Sequence, residues 1–549
     1  MARVTGRTGP ALVLFSVVAL LIRCLIAARG GLWRDEALFL FIVRFPSWSA
    51  MLEFLRLHES HPPLFYALMR LWLPLAGNGD MAARLLPVGI GVAIVPAIYL
   101  VGASLFSSRV GLLASGLAAI SPALSAFSAT ARPYSLLPLV ALISSYTLIR
   151  GLERGGRGVW TGHVVASLAL LYTHNWGWLV LFGEWLAASL VLLIGVGRGR
   201  ATAMREWLVA QIVIGIAYLP WAPRLVFQAQ NAGHAPLLVD GWKEMVGLVA
   251  LSAGVLLRST IFAYPAVLPT AVLGAGELRR VRRDRAAGVT STVVNKPVSA
   301  ARSTRASLIV VLVVPVTAWL FATLLSPRSN LILARCLVTL APLMLLALAH
   351  WLVGRRGGVM PLWWAVLAAL VATYCVALVA LIRTTPSNAR ELAAAVTART
   401  EPSDLLIIAP EPLASSFNYY YVLPIEQIDF PHFGREEAVD FAGLANRVAD
   451  PVAFTRVKQR IAEARCAGRR AWLIVDASQV HEFSAESIRR VLRSADFNAV
   501  AAVRANQIRE ELVSHYGAPD TTVAVRGRAP RYEELRAFLF TPEGACARR

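Results

Sequence analysis

Runs of apolar residues separated by short, arginine-bearing connectors fill residues 11 to 382. A helix of about 20 such residues crosses a hydrocarbon layer of about 30 Å, because its backbone hydrogen bonds are satisfied internally. The pattern predicts about eleven spans, at 11–29, 84–105, 110–128, 134–149, 159–173, 176–196, 207–223, 246–275, 307–326, 331–353 and 360–382. The first run carries Arg23, lacks a small-residue cleavage site and is followed by all the others, so it is read as an anchor rather than a signal peptide. Basic residues (Arg3 and Arg7, Arg109, Arg150 to Arg157, Arg198 to Arg205, Arg279 to Arg305, Arg355 and Arg356) fall on alternate connectors, which places those connectors in the cytoplasm. The alternation holds only if Pro62 to Leu75, short and opened by Pro-Pro, lies along the outer surface instead of crossing. Residues 30–83 then form one large outer loop.

Beyond Arg383 the pattern becomes that of a soluble domain. Residues 388–400 and 452–466 are helix-like, whereas 404–408 and 471–475 are strand-like. The predicted fold class is a polytopic α-helical membrane protein (1–382) with a C-terminal extracytoplasmic α/β domain (383–549). That domain shows no Gly-rich phosphate loop and no nucleophile elbow, and it reads as a folded cap on the membrane part.

Composition narrows the class further. With 57% hydrophobic and 16% charged residues among 549, and a mean hydropathy of +0.58, a soluble protein is excluded. The net charge of +21 is spread over membrane-flanking connectors without a recognition motif, so nucleic acid is not an expected partner. The five cysteines have no zinc spacing; Cys466 and Cys546, the two beyond the spans, would share an oxidising compartment and could pair.

The first outer loop holds Trp33-Arg34-Asp35-Glu36 and His58-Glu59-Ser60-His61-Pro62-Pro63-Leu64. An Asp-Glu pair after a span is, taken alone, an ordinary helix start. Here His58, Glu59 and His61 share its loop, while the span parity brings Arg132, His174 and Arg335 to the same face. Such a set can supply a base, anion binders and metal ligands. His174 has an equally plain reading as an interfacial residue, the tryptophans read as interface anchors, and Glu184, within a span, is left unassigned. A lipid-phosphate substrate would account for the setting, its tail in the bilayer and its headgroup in the outer cavity.

The W-x-D-E and H-P-P-L-x-Y elements, followed in order by Ala131-Arg132-Pro133-Tyr134, Tyr172-Thr173-His174-Asn175-Trp176, Tyr218-Leu219-Pro220-Trp221 and Ala334-Arg335-Cys336-Leu337, resemble the GT-C glycosyltransferases related to protein O-mannosyltransferases and aminoarabinose lipid A transferases. The resemblance implies a GT-C membrane domain over 1–382. It also implies inverting transfer of a monosaccharide from a polyprenyl-phosphate donor to an extracytoplasmic lipid, glycan or protein, at the inner (plasma) membrane. Asp35 matches the catalytic base and Glu36 its neighbour; Arg335, His61 and Arg132 are the candidate donor-phosphate binders. His61 stands where relatives often carry lysine preceded by glutamate, and the acid here, Glu59, lies one place earlier. Some branches use a divalent metal ion, for which His58, Glu59 and His174 are the candidate ligands, and others do not. The rival classes are a lipid or sugar transporter, which would concentrate ionisable groups at the membrane midplane, and a non-catalytic envelope assembly protein.

Overall fold

The computed structural model describes residues 8–59, 61–195, 199–225, 298–329, 334–354, 360–435, 444–477, 480, 484–492, 497–523 and 530–542. Its membrane part is built from α1 (Gly9–Ala27), α2 (Arg34–Val43), α3 (Trp48–Leu57), α4 (Leu64–Ala76), α5 (Asp80–Leu105), α6 (Ser108–Ala119), α7 (Pro122–Ser128), α8 (Leu136–Arg154), α9 (Arg157–Thr173), α10 (Gly177–Ile194) and α11 (Arg200–Tyr218). Helices α12 (Val298–Ser329), α13 (Ala334–Leu337), α14 (Ala341–Gly354) and α15 (Met360–Arg383) follow among the described residues. All the expected apolar runs coincide with helices except 246–275, which lies outside the described residues. Among the described residues, 6 helices are long and apolar enough to cross a membrane, or 7 if α6 and α7 form one bent span.

The 110–128 run departs from its expectation of one continuous span. It bends by 56° between α6 and α7, at Ser121-Pro122. The proline has no N–H to continue the ladder, so carbonyls at the end of α6 lose their partners. Arg23 supplies them: its Nη1 donates to Ala119 O at 3.1 Å and its Nη2 to Ala118 O at 3.3 Å. The charge that interrupts α1 therefore stitches α1 to the break, in a layer where an unmet carbonyl is costly. Helix α4, at 13 residues, rises only about 20 Å and is too short to span. One of its faces buries Phe65, Tyr66 and Met69 while Leu75 stays 84% exposed, the two-faced character of a helix lying in an interface.

The C-terminal part is an α/β unit around a five-stranded sheet of order β3-β2-β4-β7-β5, with β2 (Leu405–Ile408), β3 (Glu426–Asp429), β4 (Ala471–Asp476), β5 (Thr521–Val523) and β7 (Leu535–Phe540). Strands β2, β3 and β4 run parallel, and β7 is antiparallel to both β4 and β5. Side-chain alternation divides the core. Leu405, Ile407, Leu473 and Val475 face helices Pro451–Cys466 and Phe497–Tyr516, while Leu406, Ile408, Trp472 and Ile474 face α16 (Ala389–Thr397) and α17 (Pro412–Tyr420). Cys466 is disulfide-bonded, whereas Cys24, Cys336 and Cys375 are free; Cys546, its expected partner, lies outside the described residues.

This unit packs against the membrane part. A small parallel pair, β1 (Thr385–Ser387) with β6 (Pro530–Glu533), meets the end of α1 through an antiparallel bridge between Gly31 and Ser387. Gly30, at φ +61°, makes that approach possible: a Cβ there would sit 2.7 Å from the Cβ of Thr385. Nearby, Asp80 at the start of α5 receives both Arg390 and the Tyr420 hydroxyl from the α/β unit.

Candidate active site

Trp33 precedes α2 as its N-cap, which puts Arg34, Asp35 and Glu36 in the first turn. The partial positive charge of a helix start favours acids there. The two acids then part. Glu36 is 0% exposed and holds Arg84 bidentately, Nε to Oε1 at 2.9 Å and Nη2 to Oε2 at 2.6 Å. Oε1 also accepts the Ala131 N–H at 2.7 Å. A third-position glutamate ordinarily folds back onto the N-cap N–H; the buried guanidinium from α5 overrides that local preference. Arg84 in turn takes the carbonyls of Ala27 at 2.9 Å and Gly31 at 3.0 Å, tying the end of α1 to the loop. Asp35 instead keeps a side chain 20% exposed, with Oδ1 3.6 Å from Arg34 Nε.

The Ala131 N–H held by Glu36 begins the short turn that presents Arg132. That guanidinium is 3% exposed, donates to the carbonyl of Asp35 at 3.3 Å and lies over the rings of Phe39 and Tyr134. Burial works against its charge, but Tyr134, Tyr66, Asp35 and Glu59 outweigh it and hold the guanidinium firmly protonated. On its other side Nη2 lies 3.2 Å from His61 Nε2, while His61 Nδ1 meets Glu59 Oε1 at 2.7 Å. The consistent arrangement has Nδ1–H donating to the carboxylate and Nε2 accepting from Arg132. Burial raises the Tyr66 hydroxyl well above its usual range, with Glu59 adding to the effect, so it remains a neutral phenol beside this pair.

His174 closes the corner. It ends α9, its Nδ1 accepts the Trp176 N–H at 3.0 Å, and its ring stands edge to face against His61 with centroids 4.9 Å apart. Asp35, Arg132, Glu59, His61 and His174 thus gather at one corner between α2, α4, the α7–α8 turn and the α9–α10 turn. His58 is the C-cap of α3, its ring packed on Phe54 with centroids 5.0 Å apart. Among the described residues no three His, Cys, Asp or Glu side chains are arranged to hold an ion, the expected set of His58, Glu59 and His174 included. Arg335 lies on α13, with its side chain outside what the structure describes.

Arg70 of α4 serves the other end of α2. It is partly buried and donates to Val43 O at 2.7 Å and Phe45 O at 2.8 Å, capping the far end of α2. Glu184 accepts from Ser144 and Ser145 at 2.9 and 2.8 Å, a saturated polar knot joining α8 and α10. Sequence inspection misses Arg84 and Tyr66. The first looks like a snorkelling charge at a span end and the second like one more aromatic of an amphipathic helix; their partners lie on other elements.

The fold can now be compared with known proteins. Residues 60–221 match the family model of dolichyl-phosphate-mannose-protein mannosyltransferases; the stretch includes His61, Arg132 and His174 and begins after Asp35. The structure is similar to that of ArnT from Cupriavidus metallidurans in the apo state, with a TM-score of 0.51 and 14% identity over 86% of this chain and 94% of that one. It is similar as well to the archaeal oligosaccharyltransferase AglB from Archaeoglobus fulgidus, solved with an inhibitory peptide and a dolichol-phosphate. The TM-score there is 0.52, with 12% identity over 94% of this chain and 73% of AglB. No curated protein matches by sequence. The chain is therefore a membrane protein of the GT-C fold. Its residues 60–221 resemble the mannosyltransferase family, and its fold resembles that of ArnT.

Proposed function

We propose that this protein is a glycosyltransferase that moves one monosaccharide from a polyprenyl-phosphate donor to an acceptor outside the cytoplasm, with inversion. The observation that carries the proposal is the convergence of a solvent-reachable acid, Asp35, with a buried arginine and a carboxylate-held imidazole at one corner of a GT-C fold. In the proposed step the acceptor hydroxyl attacks the anomeric carbon and gives its proton to Asp35. The bond from that carbon to the phosphate oxygen breaks, and the phosphate leaves with the electron pair. Arg132, with His61 beside it and Arg335 from α13, neutralises the charge that develops on the phosphate. Glu36 acts as a positioning residue: its carboxylate holds Arg84 and the Ala131 N–H and so sets where Arg132 stands. The dolichol-phosphate in AglB supports a lipid-phosphate donor. The direct test incubates purified protein with labelled polyprenyl-phosphate sugars and an extract of candidate acceptors; absence of label transfer under every donor would reject the proposal.

Loss of a charge-assisted contact to an anion costs about 1.5–3 kcal/mol. Arg132→Ala is therefore expected to weaken apparent donor affinity by roughly 10- to 150-fold, with acceptor affinity less affected, and Arg335→Ala to act in the same direction. Titration of each substrate at saturating levels of the other measures both. A rise confined to the acceptor KM would remove the phosphate role.

The proposed topology places the α/β unit outside the cytoplasm. A reporter fused after Ser387 is expected on the outside and one placed between Asp284 and Ser303 in the cytoplasm, because arginine-rich connectors resist translocation. Detection of both on the same side would show a miscounted span.

A further inference from the structure

The proposed transferase chemistry makes the orientation of α2 critical, and this inference rests on that reading. A helix start leaves backbone N–H groups without intrahelical partners, and an N-cap Ser, Thr, Asp or Asn usually takes one. The N-cap of α2 is Trp33, whose side chain makes no such bond. The missing acceptor comes from the far end of the chain: the Arg34 N–H donates to Glu533 Oε2 at 3.0 Å. Glu533 ends β6, is 3% exposed, and receives the Ser416 hydroxyl of α17 on its other oxygen. Its neighbours reinforce the grip. Tyr532 stacks on Trp33 with centroids 4.5 Å apart, and the Leu32 N–H donates to the Tyr420 hydroxyl at 2.7 Å. Leu32, Trp33 and Arg34, the three residues before Asp35, are thus all held by the α/β unit.

We propose that Glu533 is a positioning residue for Asp35: the α/β domain supplies the helix cap that the sequence of α2 lacks and is an integral part of the catalytic unit. A carboxylate is a stronger acceptor than the protonated acid. Burial pushes Glu533 up to about 7; the Ser416 hydroxyl and the charge and N–H of Arg34 pull it down, and Asp476 on β4 pushes it up. The cap is accordingly strongest above neutral pH and weakens as the pH falls through that value.

Glu533→Gln keeps the shape and loses the charge. In the full-length protein without substrate, the peptide covering 32–40 is expected to exchange its amide hydrogens roughly 3- to 30-fold faster than wild type, the range set by the loss of a cap. In transfer assays kcat should fall by a similar factor with the donor KM little changed. The wild-type loss of kcat below about pH 7 should be absent in the variant. If Glu533→Gln does not fold, Ser416→Ala, which removes the carboxylate's other partner, should move exchange and kcat in the same direction by less. Unchanged exchange at 32–40 in a folded variant would overturn the cap while leaving the transferase assignment intact. A fully active Asp35→Asn protein would instead overturn the base assignment, and with it the purpose given to Glu533.

Discussion

Asp35→Asn is expected to lower kcat by at least about 10³-fold, near the upper range for a general base, while the protein still folds. Asparagine has the same shape and cannot take the acceptor's proton. The side chain is partly exposed, with Oδ1 3.6 Å from Arg34 Nε, and asparagine fills the same volume. The contrast with Glu36 makes the test specific. Both residues are acids in the same turn, yet Glu36→Gln removes a charge opposite a buried guanidinium, and its loss of activity should come with a loss of stability. Near-normal turnover by folded Asp35→Asn protein would dismiss Asp35 as the base.

Arg84→Ala should give the largest loss of stability of any single change at the site. The arginine is 1% exposed, and truncation strands Glu36 as an uncompensated buried carboxylate and leaves the Ala27 and Gly31 carbonyls without their donor. Breaking a buried ion pair from one side costs about 3–5 kcal/mol. The expected result is a clear fall in thermal midpoint in detergent and loss of transfer. The double variant Arg84→Met with Glu36→Leu should recover much of the stability, since it removes both charges, but not the activity, since the Ala131 N–H loses its acceptor and the Arg132 turn its anchor. A midpoint for Arg84→Ala equal to wild type would show that the pair does not organise the corner.

Glu533 extends the same logic across the molecule. An α/β domain without a recognisable catalytic motif touches the reaction through backbone geometry, by way of a single acceptor oxygen and two tyrosines.

The residue pattern alone determines the membrane class, the positions of the long apolar helices and the residue types at the candidate site. Each of these follows from local periodicity, from charge on alternate connectors or from short motifs: α1, α5 and α10 are legible in their apolar runs, and Asp35, Arg132, His61 and His174 in theirs. Which acid is buried and which is partly exposed is settled only in three dimensions. Glu36 loses its freedom to Arg84, 48 positions away, and to Ala131, 95 positions away. The break in the 110–128 run is tolerated because Arg23 of another helix answers its carbonyls. The cap of α2 comes from 499 residues downstream. Local sequence records what a segment prefers; in a buried site every charge and backbone group also needs a partner, and folding decides which distant element brings it.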